Sequence, residues 1–224
     1  MNWQDKGFLL NHIKYNENSA IAEFYTENHG KITGLIFGAT SKKIKNYLII
    51  GNKFHLNYNS SRDIKIGNFK IEIDQIQTPF FLEKKKKLYC IIYAMNLLKI
   101  LTVDNQENKT IYMLIDSFFN ILNNEDWLTS FIYWELNIFK NVGYDINFED
   151  YTKNISINGD KKFIVKSTNK IIPNFLIDKN VTPKNKLEII SGFKIVGDYL
   201  DKSILKPNNI NYPVSRTELS NLIK

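Results

Sequence analysis

In this 224-residue chain, the residues whose type and spacing most clearly indicate a binding site are three clustered lysines that could hold a phosphate. They are Lys42, Lys43 and Lys45. They follow a loop of small residues, 38–41, whose sequence is Gly-Ala-Thr-Ser. Small side chains allow a phosphate to approach the backbone, and the two hydroxyls of the loop can donate hydrogen bonds to it. The alternative is a solvated loop whose lysines serve only solubility.

The distribution of charge favours the functional interpretation of these lysines. Residues 1–87 carry 14 Lys and Arg against 8 Asp and Glu, so they hold a net charge of +6 out of the total of +7. A localised positive field is typical of proteins that bind nucleic acids or anionic surfaces. Further cations near the same region are predicted to extend the binding surface: Lys14, Lys31, Arg62, Lys65 and Lys84. Lys84 begins a run of four lysines, for which a solvated helix start is an equally good explanation.

Residues that could support enzymatic chemistry are scarce. The sequence has no phosphate-binding glycine loop and no HExxH motif, and its three histidines are not at metal-ligand spacing. The single cysteine, Cys90, excludes an internal disulfide and a multi-cysteine zinc site. We therefore expect a protein that is not an enzyme and needs no cofactor. A metal-dependent nuclease is the remaining enzymatic alternative, but no carboxylate cluster at strand ends favours it.

Five short segments with strand character precede Pro79 and must position these cations. They cover 7–15, 19–26, 31–38, 53–58 and the segment around 69–73, and the last two alternate cleanly between apolar and polar residues. Such a series predicts a five-stranded OB-fold barrel over residues 1–78 that binds nucleic acid. Barrel aromatics that could stack on bases, although most should be core, are Phe24, Tyr25, Phe37, Tyr47 and Tyr58.

After Pro79 the apolar residues recur at helical spacing. Helices are predicted over 80–103, 110–122, 126–142 and 187–200, with a short helix near the end of the chain. Asn158–Gly159 is a strong turn signal, so a β-hairpin insert is expected at about 154–172. The predicted fold class is therefore α+β, with an OB-fold barrel followed by a helical domain over 79–224. The aromatic-rich helix at 126–142 allows an alternative function, a protein-interaction module that binds a peptide tail in a groove.

The expected location is the cytoplasm. The longest apolar stretch, 88–103, is shorter than the roughly 20 residues that span a bilayer, and an acidic residue at position 5 argues against a signal peptide. A single cysteine also suits a reducing compartment. No membrane association is predicted.

The order of several short motifs resembles the RecO family of recombination mediators. Near the N-terminus the resemblance is carried by Trp3, Asp5, Gly7, Leu10, residues 15–21, Phe24, Thr26, residues 29–31, Gly38, Ala39 and residues 41–43. Downstream it is carried by Trp134, Glu135, Leu136, Gly143 and Tyr144, and then by Pro213, Val214, Ser215 and Arg216. The motifs are individually short, and their combination spans nearly the whole chain.

The resemblance implies a protein that binds single- and double-stranded DNA and anneals complementary strands coated by single-strand-binding protein. RecO-like proteins also help RecR to load the RecA recombinase, and their helical domain docks the C-terminal tail of single-strand-binding protein. Two departures from the family pattern matter. Thr40 stands where the family often has arginine, and residues 148–172 lack the four-cysteine zinc motif of many relatives, so no zinc is expected.

Overall fold

The computed structural model describes residues 1–60, 66–157, 160–166 and 170–224, without the side chains of 156, 157, 160 and 161. Its N-terminal strands are β1 Asn2–Lys14, β2 Ser19–Thr26, β3 Gly30–Phe37, β4 Lys53–Asn59 and β5 Gly67–Gln75, with the short helix α1, Lys42–Lys45, between β3 and β4. The later helices are α2 Lys85–Leu101, α3 Lys109–Asn123, α4 Trp127–Asn141, α5 Lys186–Tyr199 and α6 Val214–Ile223. A second sheet contains β6 Thr152–Ile157, β7 Asp160–Val165 and β8 Ile171–Ile172.

The first five strands form a closed barrel in the order β1-β2-β3-β5-β4. Neighbouring strands are antiparallel except β3 and β5, which pair in parallel and close the barrel. The strands alternate between inward apolar and outward residues, and Phe24, Phe54 and Phe69 fill the interior with edge-to-face contacts. The predicted OB-fold barrel followed by a helical region is confirmed.

Strand β1 is longer than the sequence predicted. It begins at Asn2 rather than at Gly7, because residues 2–8 pair with β4 while the later part of the strand pairs with β2. Gly7 and Phe8 pair with both strands, and the β1–β2 register has an irregularity between Leu9 and Asn11. Most of the early residues are polar, although Trp3 packs against the barrel core. Their strand character therefore came from pairing and not from hydrophobic alternation.

Motif residues of β1 hold the β2–β3 turn. The Asp5 carboxylate accepts hydrogen bonds from the Asn28 backbone at 2.9 Å and the Asn28 side chain at 3.0 Å, and it lies 2.7 Å from Nδ1 of His29. Trp3 stacks on the His29 ring, with 4.0 Å between the ring centres. These residues therefore stabilise the barrel at the end opposite the lysine-rich loop.

The chain divides into two compact units, while the domain boundary at residues 78 and 79 stays a prediction. The first unit contains 1–119 and 213–219, and the second contains 120–212 and 220–224. In the first unit α2 packs on β1, and Phe8 of β1 contacts Tyr112 and Phe119 of α3. Near Pro79 the spacing of apolar residues changes from that of strands to that of helices, so it indicates where the helices begin. Where a compact unit ends depends instead on which elements pack together.

The second unit is built on α4, α5 and the small sheet. Phe131 and Trp134 of α4 stack with ring centres 5.6 Å apart, and Phe193 of α5 packs against Phe131. The β6–β7 pair corresponds to the predicted hairpin, and β8 extends it to a third strand. The turn predicted at Asn158–Gly159 lies outside the described residues. Among the described helices, none is both long and apolar enough to cross a membrane.

Candidate nucleic-acid interface

The lysine-rich loop between β3 and β4, residues 38–45, is called the rim loop here. Gly38 leaves β3 with a φ of +71°, a left-handed conformation that glycine adopts without strain. The Ala39 amide donates to the Asn18 carbonyl at 3.2 Å, and the Thr40 hydroxyl lies 3.1 Å from the Glu17 carbonyl. The rim loop is therefore fastened to the β1–β2 turn, and the Thr40 hydroxyl takes part in that contact.

Helix α1 presents the three lysines of the rim loop to solvent. The Ser41 hydroxyl accepts a hydrogen bond from the Ile44 amide at 3.4 Å, and Ile44 packs against the barrel core. Anchoring the turn through Ile44 leaves Lys42, Lys43 and Lys45 exposed. Lys42 and Lys45 are three residues apart, so they share one face of the turn.

A pocket of about 380 Å³ opens beside the rim loop, at the end of β1 and β2, and is called the mouth pocket here. Lys14 and Lys45 contribute cations to its lining, so the structure brings these two predicted residues together. The hydroxyl-bearing residues of its lining are Ser19 and Thr40, and the apolar ones are Ala20, Ala39 and Leu48.

His12 also lines the mouth pocket, although it was not among the predicted site residues. Burial lowers its pKa below the ordinary histidine value, and a hydrogen bond to the Leu48 backbone partly opposes that shift. The imidazole is therefore mostly neutral near pH 7. Its place in the pocket could have been predicted from its position two residues before Lys14, because alternate residues of a strand lie on the same face.

Two exposed aromatic residues flank the same end of the barrel. The side chain of Phe37 is at the end of β3, and that residue is 62% exposed; Tyr15, just after β1, is 60% exposed. The Tyr15 amide donates to the Ser19 carbonyl at 2.9 Å, and Ser19 pairs with Phe37, so both aromatics adjoin one residue. Of the predicted stacking residues, Phe24 and Tyr25 are buried, while Tyr47 and Tyr58 pack partly against the core. Tyr15 was missed by the sequence analysis.

Lys31 lies at the opposite end of β3 and is engaged by protein groups. Its ammonium donates to the Lys99 carbonyl at 2.8 Å and pairs with the Asp104 carboxylate at 3.2 Å, and its side chain is only 11% exposed. Phe37 is six positions farther along the strand, a distance of roughly 20 Å. Its position suits a stabilising role better than contact with a phosphate.

The remaining predicted cations are not brought to the rim loop by any described contact. Lys84 is exposed at the start of α2, with its ammonium 5.7 Å from the centre of the Phe81 ring. The first turn of α2 has no acidic residue, and burial together with the Lys84 charge lowers the pKa of Lys87. Arg62 and Lys65 lie outside the described residues.

Three of the five aromatic residues of α4 are buried and do not line an open groove. Phe131, Trp134 and Phe139 are at most 2% exposed, and the Tyr133 hydroxyl donates to the Phe175 carbonyl at 2.7 Å. These side chains build the core of the second unit. Across the residues whose positions are described, no group of three or more His, Cys, Asp or Glu residues could hold a metal ion.

Comparison with known families now identifies the chain. The family model described as Recombination protein O N terminal matches residues 1–70, and the one described as Recombination protein O C terminal matches residues 83–204. The second match alone covers more than half of the chain. The chain belongs to the RecO family. Residues 71–82 separate the two matches and include the boundary predicted at 78 and 79, whereas the compact units divide after Phe119.

Curated relatives agree with this RecO-family assignment. The chain is similar to a protein named DNA repair protein RecO from Ehrlichia chaffeensis, with 27% identity over 77% of this chain and 70% of that protein. It is also similar to a protein of the same name from Rhodospirillum centenum, with 20% identity over 97% of this chain and 92% of that protein. A third, from Ruegeria sp., is 27% identical over 66% of this chain, and that match spans 61% of the relative.

Proposed function

We propose that this chain is a DNA-binding recombination mediator that binds single- and double-stranded DNA and anneals complementary strands. With RecR, it would help load RecA onto DNA coated by single-strand-binding protein. The observation that carries the proposal is the set of exposed lysines at one end of an OB-fold barrel, in a chain of the RecO family. The expected location remains the cytoplasm.

The proposed primary contact is between DNA phosphates and four lysines, namely the three of the rim loop and Lys14 beside it. Among the described residues, no ion pair engages Lys14, Lys42, Lys43 or Lys45, in contrast with Lys31. Binding a phosphate therefore costs these four lysines no existing ion pair. Each phosphate contact releases condensed counterions from the DNA, which provides the favourable free energy and makes binding sensitive to salt.

The exposed aromatics support binding of single strands. Phe37 and Tyr15 adjoin the rim cations, and stacking of a base on an aromatic ring contributes about 1–3 kcal/mol without strong sequence preference. Such a surface holds the phosphates and leaves base edges available for pairing. Annealing then needs no covalent chemistry, because cations between two strands reduce the repulsion of their phosphates.

A second strand requires further cations beyond the rim loop. We assign this role to Lys84 and its neighbours at the start of α2, where four successive lysines have no acidic residue in the first helical turn. Arg62 and Lys65 remain proposed contacts, since the β4–β5 connection borders the nucleic-acid-binding face in OB-folds. Lys31 is omitted from the proposed contact set because its ammonium is already paired.

The partner proteins follow from the family alone. We propose that RecR and the C-terminal tail of single-strand-binding protein are partners. The buried α4 aromatics give no support to a peptide groove formed by those residues, so no pocket is assigned for the tail.

The decisive experiment is strand annealing with DNA precoated by the cognate single-strand-binding protein. Lys42→Ala with Lys43→Ala removes two rim cations, and Lys194→Ala with Lys202→Ala removes two exposed lysines elsewhere as a matched control. We expect the rim variant to anneal more slowly and the control to match the wild type. Wild-type protein that is folded yet fails to anneal coated strands would refute the proposed function.

Direct binding measurements test the electrostatic part of the proposal separately. Each lost phosphate contact should reduce the slope of log affinity against log salt by about 0.7 for single strands, so the rim variant should lose about 1.4. The ratio of wild-type to variant affinity should then change about sevenfold between about 50 and about 200 mM salt. An unchanged slope would show that Lys42 and Lys43 do not contact phosphates.

A further inference from the structure

The mouth pocket combines an apolar recess with two cations at its opening. Ala20, Ala39 and Leu48 are each 5–6% exposed and contribute its apolar lining, whereas Lys14 and Lys45 are exposed. This arrangement suits a ligand with a flat, largely apolar body and an attached anion. Its volume of about 380 Å³ is within the range of about 300–1,000 Å³ that small-molecule sites occupy.

The recess exists because this end of the barrel has small inward residues. Farther along β2 the interior is filled by Phe24, but near the mouth the inward position is Ala20, which pairs with Lys14 of β1. A second small lining residue is Ala39, whose amide donates a hydrogen bond to the carbonyl of Asn18 in the β1–β2 turn. Small side chains at Ala20 and Ala39 therefore leave space for the recess, and the bond to Asn18 holds Ala39 beside the β1–β2 turn.

We propose that the mouth pocket takes up one nucleotide of a bound DNA strand, with its base against the Ala20 and Ala39 walls and its phosphates between Lys14 and Lys45. This inference rests on the proposed DNA-binding function and names the subsite within that surface. One base would leave the stacked path along the strand and enter the barrel mouth, while its neighbours remain on the rim.

His12 suits the polar edge of a base. Its lowered pKa keeps the imidazole mostly neutral near pH 7, so it offers a hydrogen bond without adding a third charge to the recess. The hydroxyl-bearing residues Ser19 and Thr40 also line the pocket. A base therefore meets apolar walls and several polar atoms, which a phosphate alone would not use.

The test compares two short single strands with the same phosphates, one entirely without bases and one with a single adenine at its centre. Because only one base is present, it can occupy the pocket in any register of the strand. We expect the adenine to raise affinity at least fivefold, corresponding to the lower end of about 1–3 kcal/mol for one base contact. Ala39→Leu should fill the recess and abolish that gain, while affinity for the base-free strand stays within about twofold, since the phosphate contacts are unchanged.

Two further variants keep the test valid should Ala39→Leu disturb folding. Lys14→Ala with Lys45→Ala changes only exposed residues of the pocket and should reduce the adenine gain. Lys42→Ala with Lys43→Ala is the matched control, which should lower the affinity for both strands and preserve their ratio. Phe37→Ala should also preserve the ratio of affinities for the two strands, because the single base would lie in the mouth pocket and not on the Phe37 ring.

The contrary outcomes are distinct from one another. Loss of the adenine gain in Phe37→Ala but not in Ala39→Leu would place the base on the rim and overturn the proposal. Displacement of the adenine strand by equimolar free deoxyadenosine monophosphate would assign the pocket to free nucleotides, and would overturn it too. Absence of binding to either strand would refute the proposed DNA-binding function itself.

Discussion

Lys53 provides a test of how the barrel is joined to α3 within the first compact unit. Its ammonium lies 2.6 Å from the Asp116 carboxylate, and the Lys53 side chain is 9% exposed while that of Asp116 is 51% exposed. The same ammonium lies 5.1 Å from the centre of the Phe8 ring and 5.4 Å from that of Tyr112. The pair is therefore asymmetric, with a buried cation and a half-exposed anion.

Replacing either partner should give different losses of stability. Asp116→Asn leaves a buried ammonium with only aromatic rings and a neutral amide nearby. Removing one partner of a fully buried pair costs about 3–5 kcal/mol, and an exposed pair is worth less than about 1 kcal/mol. Because Asp116 is half exposed and the rings retain part of the stabilisation, we expect a loss of about 2 kcal/mol in the free energy of unfolding.

Lys53→Met removes the buried charge and keeps an apolar stem against Phe8 and Tyr112. The desolvation cost of the cation disappears together with the ion pair, so the expected loss is below about 1 kcal/mol. The double variant should then be no less stable than Lys53→Met alone, a non-additivity of about 2 kcal/mol. Asp198→Asn, at an exposed position of α5, is the matched control and should change stability by less than about 0.5 kcal/mol.

Urea unfolding followed by circular dichroism measures all four variants, provided that the denaturant slope stays constant. Asp116→Asn with the stability of the wild type would show that the Lys53 ammonium does not depend on Asp116. Lys53→Met as the less stable of the two single variants would also contradict the expectation, because the buried charge would then be a net stabilising group.

Two further predictions concern backbone conformation and alkaline pH. Gly30→Ala should strongly destabilise the protein, because φ is +68° and an added methyl group would overlap the backbone of Gln106. Gly38→Ala, with φ +71° and only an ordinary contact with Ile44 at 3.9 Å, should cost only about 1–2 kcal/mol in the same urea assay. Burial, with a smaller contribution from the Glu107 charge, raises the pKa of Tyr25 to about 12, so its neutral form favours folding. That contribution is fully present below pH 10 and is lost as pH rises from 10 to about 12; urea midpoints across this range should fall less in Tyr25→Phe, and equal falls would contradict the assigned cause.

The sequence alone was sufficient to predict the barrel, the helical region and the lysine-rich loop. Outward and inward residues alternate along β4 and β5, so their strands could be identified before any contact was known. Lys42, Lys43 and Lys45 follow small residues that end a strand, which predicted an exposed turn. These inferences succeeded because they depend on neighbours in sequence, which determine local conformation and the direction of each side chain.

Tertiary structure alone distinguished residues that look equivalent in the sequence. Lys31 and Lys42 are both cations beside a glycine or serine, yet the segment at 99–104 returns to pair with Lys31 and leaves Lys42 exposed. Phe24 and Phe37 are both strand aromatics, but only Phe37 faces solvent at the end of its strand. The mouth pocket likewise requires β1, β2 and the rim loop to meet. Such features depend on contacts between segments far apart in the chain, which no local pattern of residues specifies.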